Sequence, residues 1–199
     1  MPNNLELVRA FIAIELPSAI RMELAQLQEK LRRQFHCSAK WVACDSIHLT
    51  LHFFGKVPQA RIENIKHTMI HAVTEQPPFN LSIGKLGIFP NQEQPHVLWI
   101  GINDRLSNLK SLHDKLMKLL CCSGLATRDK SFRPHMTLAR IRNEASYSEK
   151  QSLIQTLSLA GLTSHSSFNV QDISLIHSQL TPNRPPLYTT LFRAGLLSS

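Results

Sequence analysis

Two short stretches of the sequence repeat the same order of residue types, and each contains a histidine and a threonine that could take part in chemistry. One is His48-Leu49-Thr50-Leu51 and the other is His135-Met136-Thr137-Leu138. Side chains alternate between the two faces of a β-strand, so the histidine and the threonine of each motif would share one face. The sequence therefore predicts two strands that each present an imidazole beside a hydroxyl, and we expect both strands to meet at one cleft.

A pair of facing imidazoles suits the cleavage of a phosphodiester. Histidine titrates at about pH 6.5, so one ring can act as a base while the other acts as an acid at the same pH. One would deprotonate an attacking water and the other would protonate the leaving alkoxide, and each transfer is worth about 10²–10⁴-fold in rate. Hydroxyls of Thr50 and Thr137, with a guanidinium of Arg140 or Arg133, would bind the charged phosphate oxygens. This chemistry requires no metal ion.

The alternatives to this chemistry have less support in the sequence. A single His-x-Thr motif is ordinary in a strand, and the duplication is what favours a functional interpretation. His48 and His52 have the i, i+4 spacing of a helical zinc site, but in a strand they would lie about 13 Å apart. There is no His-Glu-x-x-His motif, no phosphate-binding glycine loop and no serine nucleophile motif. We therefore expect no metal, no ATP or NAD and no covalent intermediate. The remaining histidines considered are interpreted as surface or satisfied residues: His67, His71, His113 and His165.

The elements that must position the two motifs are predicted from hydrophobic periodicity. Apolar residues recur at spacings of three and four in four helices, at about 19–35, 58–74, 104–122 and 148–159. Strands are expected at about 8–16, 41–43, 47–54, 79–89, 97–102, 135–141, 168–178 and 187–196. Gly55 is expected to end the first motif strand, and Pro58 to open the second helix.

The order of these elements predicts the fold class. The two motifs are separated by a little less than half the chain, and the second half repeats the first in outline. We therefore expect an α+β fold with two lobes related by a pseudo-twofold axis, in which two antiparallel sheets face a central cleft and helices lie outside. One bilobal domain would span residues 1–199, with one His-x-Thr strand in each lobe.

Composition sets the broad class of partner and compartment. The chain has 22 Lys and Arg against 14 Asp and Glu, a formal net charge of +8 that favours an anionic partner such as RNA or a nucleotide. No stretch approaches the ~20 apolar residues of a membrane span, and the first residues do not form a secretory signal. The cysteines lack metal-site spacing, so they are interpreted as reduced and mostly buried thiols of a cytoplasmic protein: Cys37, Cys44, Cys121 and Cys122.

The chain resembles the two-histidine phosphoesterases, and within them the RNA 2′,3′-cyclic phosphodiesterases, also called 2′-5′ RNA ligase-like proteins. The resemblance covers nearly the whole chain. It rests on both motifs with their flanks, Ile47 to Gly55 and Phe132 to Arg140, and on the segments at 9–14, 87–90, 97–99 and 178–188. It implies a bilobal fold and hydrolysis of a terminal 2′,3′-cyclic phosphate on RNA to a 2′-phosphomonoester, without a cofactor.

The resemblance also implies roles for individual residues. His48 would donate a proton to the leaving 3′-oxygen and His135 would accept the proton of water, an order that the residue pattern alone does not set. Thr50, Thr137 and Arg140 would bind the phosphate.

Two further side chains are expected around the substrate. Phe53 would stack on the terminal base, a contact that any base can make. Arg133 is expected at the edge of the cleft. The partner would be RNA with a cyclic phosphate end, such as a tRNA half, or a nucleotide analogue, and the protein would be a monomer.

Two other functions stay open from the sequence. The same fold could carry out 2′-5′ ligation of RNA or act on another cyclic nucleotide. Alternatively, the chain could be a non-catalytic module that binds RNA or nucleotides through its positive charge.

Overall fold

A computed structural model describes residues 6–34, 38–104, 107–127, 132–159, 166–182 and 184–197. Cys37 and His165 lie outside these residues. The strands are β1 (Leu7–Glu15), β2 (Ala39–Trp41), β3 (His48–Pro58), β4 (Phe79–Pro90), β5 (Pro95–Asn103), β6 (His135–Ile141), β7 (Ser167–Val170), β8 (Asp172–Gln179) and β9 (Leu187–Gly195). The helices are α1 (Ser18–Gln34), α2 (Ile62–Val73), α3 (Asn108–Cys122) and α4 (Tyr147–Leu159), with short 3₁₀ turns at Cys44–Ser46 and Gln59–Arg61.

The strands form one antiparallel sheet in the order β7-β4-β5-β6-β3-β1-β8-β9, and β2 pairs with the free part of β6. The α+β class is confirmed. The two sheets predicted from the sequence are the two halves of this sheet: the first half-sheet is β3-β1-β8-β9 and the second half-sheet is β7-β4-β5-β6. They join where β3 pairs with β6, at the partners Leu49 and Met136. The centres of the two motifs therefore form the seam between the halves.

The half-sheets do not correspond to halves of the chain, so the prediction that the second half of the chain repeats the first is wrong in its boundaries. The first half-sheet combines β1 and β3 with the last two strands, whereas β4 to β7 form the second. The physical reason lies in β1, where Ala10 to Ile14 are buried on both faces. The buried N–H and C=O groups of such a strand need hydrogen-bond partners along both edges, and β3 and β8 supply them.

The strand predicted at 168–178 is two strands that belong to opposite halves of the sheet. β7 pairs with β4, and β8 pairs with β1, with Gln171 between them. Since one residue separates β7 from β8 in the chain, the sheet must curl until its β7 edge approaches β8. Local alternation of apolar residues is the same in both strands, so it did not reveal this change of partner.

The first motif strand continues beyond Gly55, where it was expected to end. Ala10 pairs with Gly55 and Phe11 pairs with Phe53, so Phe54 is the extra residue of a bulge. Gly55 has φ +72°, a conformation that side chains rarely adopt, which explains the glycine. The strand ends at Pro58, and α2 begins only after the 3₁₀ turn, so Pro58 closes β3 rather than opening the helix.

Helices cover the face of the sheet that carries the apolar residues of both motifs. Leu49, Met136 and Leu138 are fully buried there, as alternation predicted. The buried side chain of Gln28 in α1 donates hydrogen bonds to the carbonyls of Val42 (2.8 Å) and Leu138 (2.9 Å), which ties the helix to the second motif strand. Helix α2 packs against α3, β8 and β9. Each buried Leu or Met contributes about 1.5–3 kcal/mol, so this face holds the motif strands in place.

Two smaller expectations concern cysteine and membrane contact. Cys44 and Cys121 are half-buried and Cys122 is exposed, all three unpaired, so the expectation of mostly buried thiols is wrong for these residues. Cys122 ends α3, where the chain leaves the core. None of the described helices is long and apolar enough to cross a membrane.

Candidate active site

The two motifs present their histidines and threonines on one face of the sheet, on both sides of the seam. Leu49 and Met136 are direct partners and both point into the core, so the residues that flank them point the other way. Because β3 and β6 are antiparallel, the histidine of each motif lies across the seam from the threonine of the other motif. His135 is close enough to His48 for its charge to lower the pKa of His48. The structure thus brings together the residues that the sequence singled out.

Both imidazole rings are held by the same backbone contact. Nδ1 of His48 lies 2.8 Å from the carbonyl oxygen of Ser46, and Nδ1 of His135 lies 2.7 Å from that of Arg133. A carbonyl only accepts hydrogen bonds, so Nδ1 carries the proton in each ring and donates it. Nε2 is then the atom that can take or give a proton in the cleft. In both motifs the accepting carbonyl belongs to the residue two positions before the histidine. Every residue has a backbone carbonyl, so the sequence does not indicate this contact.

His48 has a pKa below its ordinary value. Burial is the main cause, since it disfavours the imidazolium, and the positive charge of His135 adds to it. The carbonyl of Ser46 and the carboxylate of Glu15 oppose this and raise the pKa of His48. In the free protein the neutral form of His48 is therefore favoured.

Aromatic rings wall the His48 side of the cleft. The Phe11 ring stacks on the imidazole with 4.6 Å between centroids, and the Tyr188 ring meets it edge-on at 5.3 Å. Phe11 comes from β1 and Tyr188 from β9, so strands from both ends of the chain build this wall. Burial by these rings is what disfavours the charged form of His48.

A different pair of aromatic rings walls the His135 side. Phe89 contacts His135 edge-on at 4.9 Å and Trp99 lies 6.2 Å away, with Phe89 and Trp99 stacked at 4.8 Å. Trp99 lies over Gly87, where a Cβ would come within 2.2 Å of the indole. Gly87 is therefore required for this wall. The segments at 87–90 and 97–99 were noticed in the sequence, but their packing against His135 was not.

The predicted substrate-binding residues lie near the rim of the cleft. Phe53 is 48% exposed, which leaves its ring available for stacking. Arg140 is exposed on β6, and its charge acts on Tyr188. Arg133 contributes its backbone carbonyl to His135, a contact that the sequence did not predict.

Arg9 is a residue of the site that reasoning from chemistry missed, because it lies in an apolar strand. Its guanidinium carbon is 4.6 Å from the centre of the Phe53 ring, and its buried Nε has no hydrogen-bond partner among the described residues. Burial raises the pKa of Tyr188, while the charges of Arg140 and Arg9 lower it. Two cations from different half-sheets thus act on one phenol, which makes this rim suitable for an anion.

The other histidines considered divide into exposed and buried ones. His67 and His71 are exposed on α2, as expected. His113 is buried and stacks on Phe132 with 3.7 Å between ring centroids, so aromatic packing accounts for it. Within the described segments, no group of three or more His, Cys, Asp or Glu side chains is placed to hold a metal ion.

An α+β fold in which two His-x-Thr strands meet at one cleft defines a two-histidine phosphoesterase. Comparison with known proteins agrees with this class. A family model described as LigT like Phosphoesterase matches residues 14–99. An RNA 2′,3′-cyclic phosphodiesterase of Archaeoglobus fulgidus is 31% identical over 189 residues, covering 92% of this chain and 98% of that protein. One of Methanothermobacter thermautotrophicus is 29% identical over 187 residues, covering 92% and 96%. The chain belongs to the LigT-like phosphoesterase family.

Solved structures have the same fold. The protein TT0787 of Thermus thermophilus superposes with a TM-score of 0.74 at 26% identity, covering 94% of this chain and 97% of that one. Escherichia coli LigT complexed with 3′-AMP superposes with a TM-score of 0.73 at 27% identity, covering 96% and 99%.

Proposed function

We propose that this protein hydrolyses the terminal 2′,3′-cyclic phosphate of RNA to a 2′-phosphomonoester, with two histidines as acid and base. Relatives named RNA 2′,3′-cyclic phosphodiesterase, which match nearly the full length of the chain, support the reaction. The observation that carries the mechanism is the matched orientation of His48 and His135. Each commits Nδ1 to a carbonyl and keeps Nε2 for proton transfer at the same cleft.

The proposed reaction needs two proton transfers and no cofactor. Nε2 of neutral His135 accepts a proton from water as the water oxygen forms a bond to phosphorus. The bond between phosphorus and the 3′-oxygen breaks, and Nε2–H of protonated His48 donates its proton to that oxygen. The product has a 2′-phosphate and a 3′-hydroxyl. Both imidazoles end in the opposite protonation state, and exchange with solvent restores them.

The phosphate would be bound by groups from both half-sheets. Thr50 and Thr137 flank the seam and would donate hydrogen bonds to the non-bridging oxygens, where charge develops in the transition state. Arg140 would add a guanidinium contact. A bound phosphodiester anion would also raise the pKa of His48 and oppose the effect of burial, so that the donor is protonated when substrate is present.

The RNA next to the reacting end would lie along the rim. Phe53 would stack on the terminal base, and Arg9, above the same ring, would contact a backbone phosphate. The net charge of +8 would attract RNA broadly. We include tRNA halves among the proposed substrates, and Arg133 among the residues at the cleft edge.

The test is an assay of purified protein on an RNA oligonucleotide that ends in a 2′,3′-cyclic phosphate. His48→Ala and His135→Ala should each reduce kcat/KM by about 10²–10⁴-fold, and EDTA should leave the rate unchanged. His67→Ala removes an exposed histidine of α2 and serves as the matched control. Inhibition by EDTA, or a 3′-phosphate as the product, would contradict the proposal.

Ligation is the second candidate function, because it needs the same two proton transfers. A 5′-hydroxyl would replace water as the nucleophile and give a 2′-5′ linkage. Incubation with paired RNA halves, followed by identification of the junction, separates ligation from hydrolysis. The similarity to LigT complexed with 3′-AMP makes small cyclic nucleotides a third set of substrates to assay. RNA binding that weakens with salt, without turnover of any of them, would identify a non-catalytic module.

A further inference from the structure

A carboxylate lies beside one of the two motif histidines. In the register of β1 and β3, Glu15 is the direct partner of His48. Side chains of direct partners in an antiparallel pair share a face, with Cβ atoms about 4.5–5.5 Å apart. Glu15 therefore projects into the cleft next to the imidazole, on the side away from the seam.

Neighbouring side chains fix this carboxylate in place. The hydroxyl of Thr190 donates a hydrogen bond to Oε1 (3.1 Å) and the guanidinium of Arg193 donates one to Oε2 (3.1 Å). Burial raises the pKa of Glu15, but hydrogen bonds from the hydroxyl groups around it and the charge of Arg193 lower it further than burial raises it. Glu15 is therefore ionised at neutral pH.

The equivalent position beside the other histidine has no side chain. In the register of β5 and β6, the direct partner of His135 is Gly101. Each of these neighbours lies on the strand that pairs with a motif strand on the side away from the seam. This strand is β1 in the first half-sheet and β5 in the second. The two histidines thus have matched backbone contacts but unmatched partners, a fixed carboxylate for His48 and a glycine for His135.

We propose that Glu15 is a positioning residue that stabilises the protonated form of His48 and so supports its role as the acid of the proposed reaction. This inference rests on the proposed function. Glu15 makes no contact with the reacting atoms in this scheme. It acts through the imidazole of His48, because a fixed negative charge stabilises the charged form of that ring.

The charged and titratable groups that act on His48, or on the Glu15 carboxylate beside it, come from four strands. Glu15 faces it from β1 and is the carboxylate that raises the pKa of His48; His135 on β6 opposes it. Tyr188 on β9 meets the ring edge-on and is neutral at pH 7, because burial raises its pKa. Arg193 of β9 pairs with Glu15 and offsets part of its charge. On β8, burial raises the pKa of Asp172, the charge of Arg193 lowers it, and the charge of Glu15 raises it further.

The first measurement is an NMR titration of the His48 ring in the wild type and in Glu15→Gln. Glutamine keeps the shape of the side chain and an oxygen for Thr190, so the fold should be retained. The titration midpoint of His48 should move to lower pH. Glu63→Gln is the matched control, since it removes one carboxylate from the exposed face of α2 and should leave the midpoint unchanged. An unchanged midpoint in Glu15→Gln would overturn the proposal.

The second measurement is the pH dependence of kcat for a 2′,3′-cyclic-phosphate oligonucleotide, because kcat reports the protonation states of the enzyme with substrate bound. If His48 is the acid, Glu15→Gln should move the alkaline limb to lower pH and reduce the rate at pH 8 by about 3- to 10-fold, with little loss near the optimum. Glu15→Asp keeps the charge and should restore much of the rate. A shift of the acidic limb instead would make His48 the base and overturn the proposal.

The two proposals fail in different ways. Absence of turnover by the wild type would refute the hydrolase function, whereas an unmoved His48 midpoint with normal turnover would refute only the role of Glu15.

Discussion

The two half-sheets place the same motif in the same backbone contact but surround it differently. In both, a carbonyl two residues before the histidine fixes the ring and leaves Nε2 facing the cleft. His48 is then stacked on Phe11 and lies opposite Glu15, whereas His135 meets Phe89 and lies opposite Gly101. The repeated backbone contact thus orients both rings in the same way, whereas the neighbouring strands surround the two rings with different groups. An acid and a base require this kind of difference.

After loss of a histidine, the largest expected effect on the rate is loss of a motif threonine hydroxyl. This change tests a feature that the two half-sheets share. Thr50→Val and Thr137→Val keep the side-chain volume but remove a hydroxyl from each side of the seam. Each should reduce kcat by about 10- to 10²-fold, because a donor to the charged phosphate oxygens is lost. Steady-state kinetics on the cyclic-phosphate oligonucleotide would measure this.

Unequal losses would sharpen the comparison by showing which half binds the charged oxygen more strongly. Wild-type kcat in both variants would refute the proposed role of the hydroxyls. Thr74→Val, at the exposed end of α2, is the control, because its hydroxyl donates a hydrogen bond to the carbonyl of Ile70 in the same helix.

Gly87→Ala should disrupt one half alone. The new methyl would meet the Trp99 ring, which must move, and the wall beside His135 would move with it. We expect destabilisation by about 1–3 kcal/mol in urea unfolding and a reduced kcat, with the His48 titration midpoint retained.

Gly195→Ala is the matched control, because a Cβ there meets nothing within 4 Å. It should leave stability and kcat unchanged. If Gly87→Ala behaved like this control, the packing of Trp99 against Gly87 would be of no consequence for the site.

The smallest effect is a pH dependence of stability that belongs to His48. Its pKa is lower in the folded protein, mainly because of burial, so the unfolded chain binds the proton more readily. The contribution of His48 to stability is therefore present above about pH 6.5 and is lost as the pH falls below that value. The free energy of unfolding of His48→Gln should fall less between pH 7.5 and pH 5.5 than that of the wild type, by less than about 1 kcal/mol. Urea titrations at both pH values would measure it, and an equal fall in both proteins would contradict the assignment.

Much of the fold followed from local patterns. The four helices and most strands were predicted within a few residues, since the periodicity of apolar residues reports which face is buried. The partner choice of the strands could not be predicted. β7 and β8 look like one strand, and β1 joins strands from both ends of the chain, because hydrogen bonding between distant segments leaves no local signal.

The site divides in the same way. His48, Thr50, His135 and Thr137 were found from the motif, and the structure gathers them at the seam. Arg9 and Glu15 were missed, because each is a polar residue at the margin of an apolar strand and has meaning only beside its neighbours. The carbonyls of Ser46 and Arg133 were missed because every residue has one.

The sequence by itself determined which face each motif residue occupies, since alternation along a strand has a period of two. Only the tertiary structure decided which residue lies beside each histidine. The register of β1 and β3 shifts twice, between Ala10 and Phe11 and between Ile12 and Ala13, so counting along the chain does not place Glu15 opposite His48. Bulges and the curl of the sheet set that pairing, and both result from packing across the whole core.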